Sequence, residues 1–165
     1  MANDDEIKVA QEFISALPHA KELGLTVEDI GPGHAVVALP YAERLIGDPR
    51  TRVLHGGAIS ALMDTTSGAA VMSLPEGFGT ATLDLRIDYM RSATPGQTVH
   101  AAAECYHVTR SVAFVRTTAY DDDKERPVAT ATGAFTYGHA TAPSTPEQMA
   151  TAMDAFENGK KELGL

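Results

Sequence analysis

Ile7, Ala10, Phe13, Ile14 and Leu17 recur at helical spacing, which predicts an amphipathic helix near the start of the chain. Pro18 ends or kinks it, and Gly24 closes a second, short turn of helix. Residues 25–30 and 34–39 read as strands flanking the turn Gly31-Pro32-Gly33, with Pro40 as a stop. Residues 41–54 have no clean period and contain Gly47-Asp48-Pro49, so a loop is expected there. Residues 54–71 then read as a helix opened by glycines and apolar on nearly every side, a pattern that normally means burial.

Pro75, Gly77 and Gly79 mark the next turn, after which strict alternation sets in. Leu83, Leu85, Ile87 and Tyr89 share one face and Thr82, Asp84, Arg86 and Asp88 the other, as in a half-buried strand. Strands are expected over 98–108, 112–120 and 128–137, with Asp121-Asp122-Asp123 in a solvated turn before the last. Cys105 alternates with Val99, Ala101 and Ala103 on an apolar face and is expected in the core. Thr145-Pro146-Glu147-Gln148 opens a C-terminal helix with a capping box. Strands, a long buried helix and four more strands joined by short turns predict an α+β domain. In it an antiparallel sheet wraps around the central helix. One domain is expected over residues 1–165, with its core at about 25–138 and helical extensions at both ends.

Composition narrows the function. The 165 residues are 44% hydrophobic and 21% charged, as in a globular protein. A net charge of −9 argues against a nucleic-acid binder and against an anionic membrane surface, but leaves room for a phosphate-bearing small molecule held by local arginines. Cys105 is the only cysteine, so neither an intrachain disulfide nor a cysteine-based zinc site is available. His19, His34, His100, His107 and His139 show no metal-ligand spacing. Residues 1–6 lack the features of a signal peptide, and the apolar run around residues 58–74 is too short and too polar to span a bilayer. A cytoplasmic protein without membrane association is expected.

The chemistry points to Asp64, a carboxylate in the middle of an apolar helix, where it is costly unless bonded or given a task. His55-Gly56-Gly57 opens the same helix, and free N–H groups at its positive end suit an anion or a developing oxyanion. Donor and acid together suggest attack on an acyl carbonyl. Gly56 and Asp64 are eight residues apart, about 12 Å along a helix. Both should lie roughly 3 Å from the reacting atoms. One helix cannot satisfy both demands, whereas a second, antiparallel copy can, so an acyl-transfer site here should be shared across a two-fold dimer.

His55-Gly56-Gly57 with Asp64, followed by the strand residues Thr82-Leu83-Asp84-Leu85-Arg86-Ile87-Asp88-Tyr89-Met90-Arg91, resembles the PaaI-type hotdog-fold acyl-CoA thioesterases over roughly residues 25–137. The resemblance implies a hotdog fold with sites between protomers, and hydrolysis of an acyl-CoA to free acid and coenzyme A without metal or redox cofactor. It implies a homodimer, with a dimer of dimers as the expected assembly. Asp64 takes the position of the family's base or nucleophile, and Gly56 that of its oxyanion-binding amide. Gly57 shapes the turn, and His55 orients the loop or contacts the thioester oxygen. Thr82 takes the place of a hydroxyl that positions water in some members, although simple alternation turns it away from Leu83 and Leu85, so it reaches the site only if a bulge or the start of the strand re-aims it. The chain departs from the family where relatives carry Asn and Gly: here these positions are Asp48, a substrate-loop residue, and Arg52. Arg91, Arg110 and Arg116 are candidates for the coenzyme A phosphates, Arg91 and Arg110 foremost. Acyl-carrier-protein thioesters and non-catalytic acyl-CoA binding are the alternatives on the same fold.

Overall fold

The computed structural model describes residues 4–75, 77 and 79–138. Helix α1, Asp4–Ala16, lays its apolar side on the core through Ile7, Ala10, Phe13 and Ile14. Helix α2, Pro18–Leu23, starts with proline at its first turn and ends at Gly24, whose φ of 74° supplies the left-handed cap. Strands β1, Thr26–Gly31, and β2, His34–Leu39, pair antiparallel. β1 is a sheet edge, and Gln11 of α1 covers part of it, accepting from Val27 N–H at 2.6 Å and donating to Leu25 O at 3.3 Å.

The stretch expected to be loop contains a 3₁₀ turn at Glu43–Leu45 and a small ladder between β3, Ile46–Asp48, and β4, Val53–Leu54. It delivers the chain into the central helix α3, Gly56–Met72. Strands β5, Thr82–Tyr89, β6, Val99–Val108, β7, Val112–Tyr120, and β8, Ala129–Thr136, complete an antiparallel six-stranded sheet of order β1-β2-β6-β7-β8-β5. The sheet packs across α3, which meets β6, β2 and β7 most extensively. This is the α+β hotdog architecture. The expected C-terminal helix lies outside the described residues.

One expectation needs correction. α3 is not covered all round: Leu62, Met63, Ala70 and Val71 are sealed against the sheet, whereas Gly56, Ser60, Ala61, Asp64, Thr65, Gly68 and Ala69 remain partly open along one stripe. Small residues count as apolar in a pattern yet lose little by facing outward, so a single chain leaves this stripe uncovered. The polar groups on the sealed side are satisfied internally. Thr66 donates to Leu62 O at 2.7 Å, and Ser67 donates to Met63 O at 2.7 Å and shares a 2.7 Å hydrogen bond with Thr117.

A second correction concerns the acidic run after β7. Asp121 is 1% exposed and forms a two-pronged pair with Arg91, at 2.6 and 2.7 Å. Thr94 adds a backbone and a hydroxyl donor at 3.0 and 2.9 Å. The Arg91 guanidinium, with these further bonds, holds the Asp121 carboxyl well below the usual carboxylate range. Only Asp122 and Asp123 behave as the exposed turn the sequence suggests. Cys105 is half-buried and leans on the smaller apolar cluster around Val115 and Phe135, where burial pushes its thiol pKa up.

Candidate active site

Leu45 O accepts the His55 backbone N–H at 2.8 Å, which fixes the entry into α3. His55 is the N-cap: its Nδ1 accepts the Gly57 N–H at 2.9 Å. An accepting Nδ1 puts the proton of the neutral ring on Nε2. Among the described residues no acceptor takes the Gly56 N–H, so the first amide of the helix is available at its positive end. Beside this end lies a cleft of about 360 Å³ floored by Leu23, Leu45, Ile46 and Ala58 and rimmed by His55 and Gly57. Asp64, two turns further along α3, is not among its lining residues.

Asp64 Oδ1 accepts the Thr82 hydroxyl at 2.7 Å. The contact exists because β5 slips by one residue against β8. Thr82 sits opposite Phe135, but Asp84 is already opposite Ala134, which leaves Leu83 as the extra residue of a bulge. Below the bulge Leu85, Ile87 and Tyr89 face Gly133, Ala131 and Ala129, all buried. Thr82, opposite buried Phe135, joins that same helix-facing side, while Leu83 is turned out and is 58% exposed.

Two site residues had no signal in the sequence reading. Tyr89, at the far end of β5, donates its hydroxyl to Gly56 O at 2.8 Å and lies 2.6 Å from the Ser60 hydroxyl. Ser60 sits on α3 between Gly56 and Asp64, four residues from each, so all three share one helix face. A tyrosine in an alternating strand reads as core, and only the need of its hydroxyl for a partner hints at more.

The remaining candidates are placed as follows. Asp48 accepts from the Arg50 backbone N–H at 2.9 Å and from its guanidinium at 3.3 Å, bonds that hold its carboxyl below the usual range. The turn it caps ends at Arg52, whose φ of 60° lies in the left-handed region that favours glycine. Arg52 keeps that conformation while its side chain reaches Glu43 at 2.7 Å and its carbonyl accepts from Tyr41 at 2.8 Å. Arg91 is committed to Asp121 and to the carbonyls of Ser92 and Arg126, which leaves it spent as a strut and separate from the Asp64 group. Arg116 lies 4.3 Å over the Tyr106 ring on the outer side of the sheet. Arg110 is exposed in the β6–β7 turn. That turn sits at the sheet end where Thr82, Phe135 and Ala113 are cross-strand neighbours, so Arg110 is on the Asp64 side of the molecule.

Comparisons agree with this architecture. A model of the thioesterase superfamily matches residues 52–128. A Pseudomonas aeruginosa protein of known crystal structure is 48% identical and superposes with a TM-score of 0.70, over 79% of this chain and 97% of that one. A variant of the phenylacetic acid degradation protein PaaI from Thermus thermophilus is 30% identical, with a TM-score of 0.64 over 72% of this chain and 97% of that one. A provisionally named esterase of Halobacterium salinarum is 34% identical over 94 residues, 54% of this chain and 62% of its own, so this chain spans under two thirds of that relative. The medium/long-chain acyl-CoA thioesterase YigI of Salmonella typhimurium is 24% identical over 144 residues, 79% of this chain and 92% of its own. The chain belongs to the thioesterase superfamily, among its PaaI-type hotdog proteins. Among the described residues no helix is long and apolar enough to cross a membrane.

Proposed function

We propose that the protein hydrolyses acyl-CoA thioesters to a free acid and coenzyme A, at two equivalent sites shared across a homodimer. The observation that carries this reading is the Thr82–Asp64 hydrogen bond, 2.7 Å, set two helical turns from the unclaimed Gly56 amide. The Thr82 hydroxyl occupies Oδ1, so Oδ2 is left to act on water or on the substrate. Gly56 N–H of the partner protomer would meet the carbonyl oxygen as negative charge develops on it.

As a general base, Asp64 takes a proton from water while the water oxygen adds to the thioester carbon; the C–S bond then breaks and the thiolate leaves with that proton. As a nucleophile, Asp64 adds to the thioester carbon and expels the thiolate as the C–S bond breaks; water then opens the resulting mixed anhydride, giving the free acid and restoring the Asp64 carboxylate. Neither route needs a metal or redox cofactor. The open stripe of α3 and the free edge of β5 support the dimer. Leu83, Tyr89 and Met90 at that edge are 58%, 49% and 59% exposed, an apolar exposure that a second copy would cover. A dimer of dimers then provides the full assembly. Arg110 reaches the coenzyme A phosphates, and Asp48 shapes the substrate loop by holding its turn. A cytoplasmic setting suits both substrate and lone thiol.

The test is release of free thiol from acetyl-, octanoyl-, palmitoyl- and phenylacetyl-CoA, with Asp64→Ala alongside. Turnover of at least one thioester and a loss on the order of hundreds-fold in the variant are expected. Binding without hydrolysis by the wild type would sink the proposal and favour a sensor. Preference for acyl-carrier-protein thioesters would move the carrier and keep the chemistry.

A further inference from the structure

The peptide unit joining Gly56 and Gly57 is held from both sides. Its carbonyl accepts the Tyr89 hydroxyl at 2.8 Å, and Ser60 Oγ approaches it at 3.2 Å. Its N–H is taken by His55 Nδ1 at 2.9 Å. The two hydroxyls also share a 2.6 Å hydrogen bond, so Ser60, Tyr89 and the Gly56 carbonyl form one hydrogen-bonded set. Through the peptide this set is linked to His55, and bonds joined in this way polarise one another. Two successive glycines at a helix start would otherwise be the softest backbone in the site. The Tyr89 ring carbons also lie 3.6 Å from where a Gly56 side chain would begin, so the ring backs the same peptide.

We infer that Tyr89, assisted by Ser60, is the positioning residue of the oxyanion end. By clamping the Gly56–Gly57 peptide it holds the backbone on the C-terminal side of Gly56 and keeps the His55 proton on Nε2. His55 O, accepting the Ala58 N–H at 3.0 Å, holds the adjoining peptide that carries the Gly56 N–H. With both planes fixed, that N–H keeps one direction. The Tyr89 hydroxyl is bonded to Gly56 O and Ser60 and not to Asp64, so it acts through the backbone. The catalytic half of this inference rests on the hydrolysis proposed above, whereas the clamp itself does not.

The test pairs Tyr89→Phe, which keeps the ring, with Ser60→Ala, and follows both by kinetics and by the His55 tautomer read through nitrogen NMR. The kinetic substrate is whichever of the four acyl-CoAs the wild type cleaves fastest. Tyr89→Phe should lower kcat about ten-fold or more with KM within about two-fold, because a misdirected donor harms the transition state more than binding. Ser60→Ala should show a smaller loss of the same kind. The His55 ring should be the Nε2–H tautomer in the wild type and a tautomer mixture in Tyr89→Phe, at nearly unchanged thermal midpoint. An unchanged kcat, or a rise in KM alone, would overturn the positioning role. A His55 tautomer indifferent to Tyr89→Phe would overturn the clamp whether or not any thioester is cleaved. Failure of the wild type on all four thioesters removes the hydrolysis reading and leaves the tautomer to decide the clamp.

Discussion

Thr82 reaches Asp64, 2.7 Å from hydroxyl to carboxylate, only because Leu83 is squeezed out of the β5–β8 ladder. One inserted residue reverses which face Thr82 occupies without disturbing the rest of the strand. The cost is an apolar side chain turned outward at a free sheet edge.

Thr82→Val keeps the shape and β-propensity of the side chain and removes its hydroxyl. Without that donor the Asp64 carboxylate loses its fixed orientation, and a misplaced catalytic group costs up to about a hundred-fold, so kcat should fall roughly ten-fold to a hundred-fold. Thermal unfolding should change little, since Thr82 is exposed. Thr82→Ser should retain most of the activity. Steady-state thiol release on the three proteins checks this, and wild-type kcat in Thr82→Val would show the contact to be ornamental.

The Arg91–Asp121 pair is a matter of stability. Removing one partner of a buried, hydrogen-bonded pair costs about 3–5 kcal/mol, and Asp121 is 1% exposed with Arg91 at 20%. Asp121→Ala should therefore unfold at markedly lower denaturant, while the KM for acyl-CoA of the folded fraction should stay near wild type. The pH dependence has a definite sign. Asp121 has a depressed pKa in the folded state, so its stabilisation is complete above the ordinary carboxylate pKa of about 4 and is lost as pH falls below it. Denaturant titrations at pH 7 and at pH 3 should show the wild-type advantage over Asp121→Ala shrinking in acid.

The parts of this molecule that follow local rules were legible in the chain. Gly24, Gly33 and the alternation of β5 to β8 mark the elements to within a residue or two, because turns and pleats are local. What escaped was set by contacts across the fold. The face of Thr82 depends on how β5 registers against β8. The burial of Asp121 depends on Arg91, thirty residues earlier, and three consecutive aspartates gave no hint of which one would turn inward. Tyr89 looked like another apolar position, since its hydroxyl partner is a backbone carbonyl at the helix start. The open stripe of α3 was hidden by small residues, which satisfy an apolar pattern without requiring cover.

Arg110 is the remaining arginine of the two foremost phosphate candidates, now that Arg91 is engaged inside the fold. If it meets coenzyme A, Arg110→Glu should raise KM for acyl-CoA several-fold and leave kcat alone. The same variant should leave the cleavage of an acyl-N-acetylcysteamine unchanged, because that thioester lacks the phosphates. Added salt should weaken wild-type binding of acyl-CoA and have less effect on the variant, as expected for an exposed charge contact. Equal KM in both proteins would place the phosphates elsewhere.

The division of the site between protomers gives the sharpest test. Gly56 is the first residue of α3 and His55 before it is extended, at φ −65° and ψ 133°. Gly56→Pro therefore removes this donor at a position proline suits, replacing the N–H with a ring carbon. A side chain at Gly56 would meet nothing nearer than the Tyr89 ring at 3.6 Å, so the fold should persist. Loss of an oxyanion donor should cost about 10²–10³ in kcat. Neither Gly56→Pro nor Asp64→Ala should then be active alone. Mixed, unfolded and refolded together in equal amounts, they should form heterodimers in which one site has both defects and the other has neither. About a quarter of wild-type activity should return, if subunits pair at random across a two-fold axis. Sites contained within single chains would recover nothing.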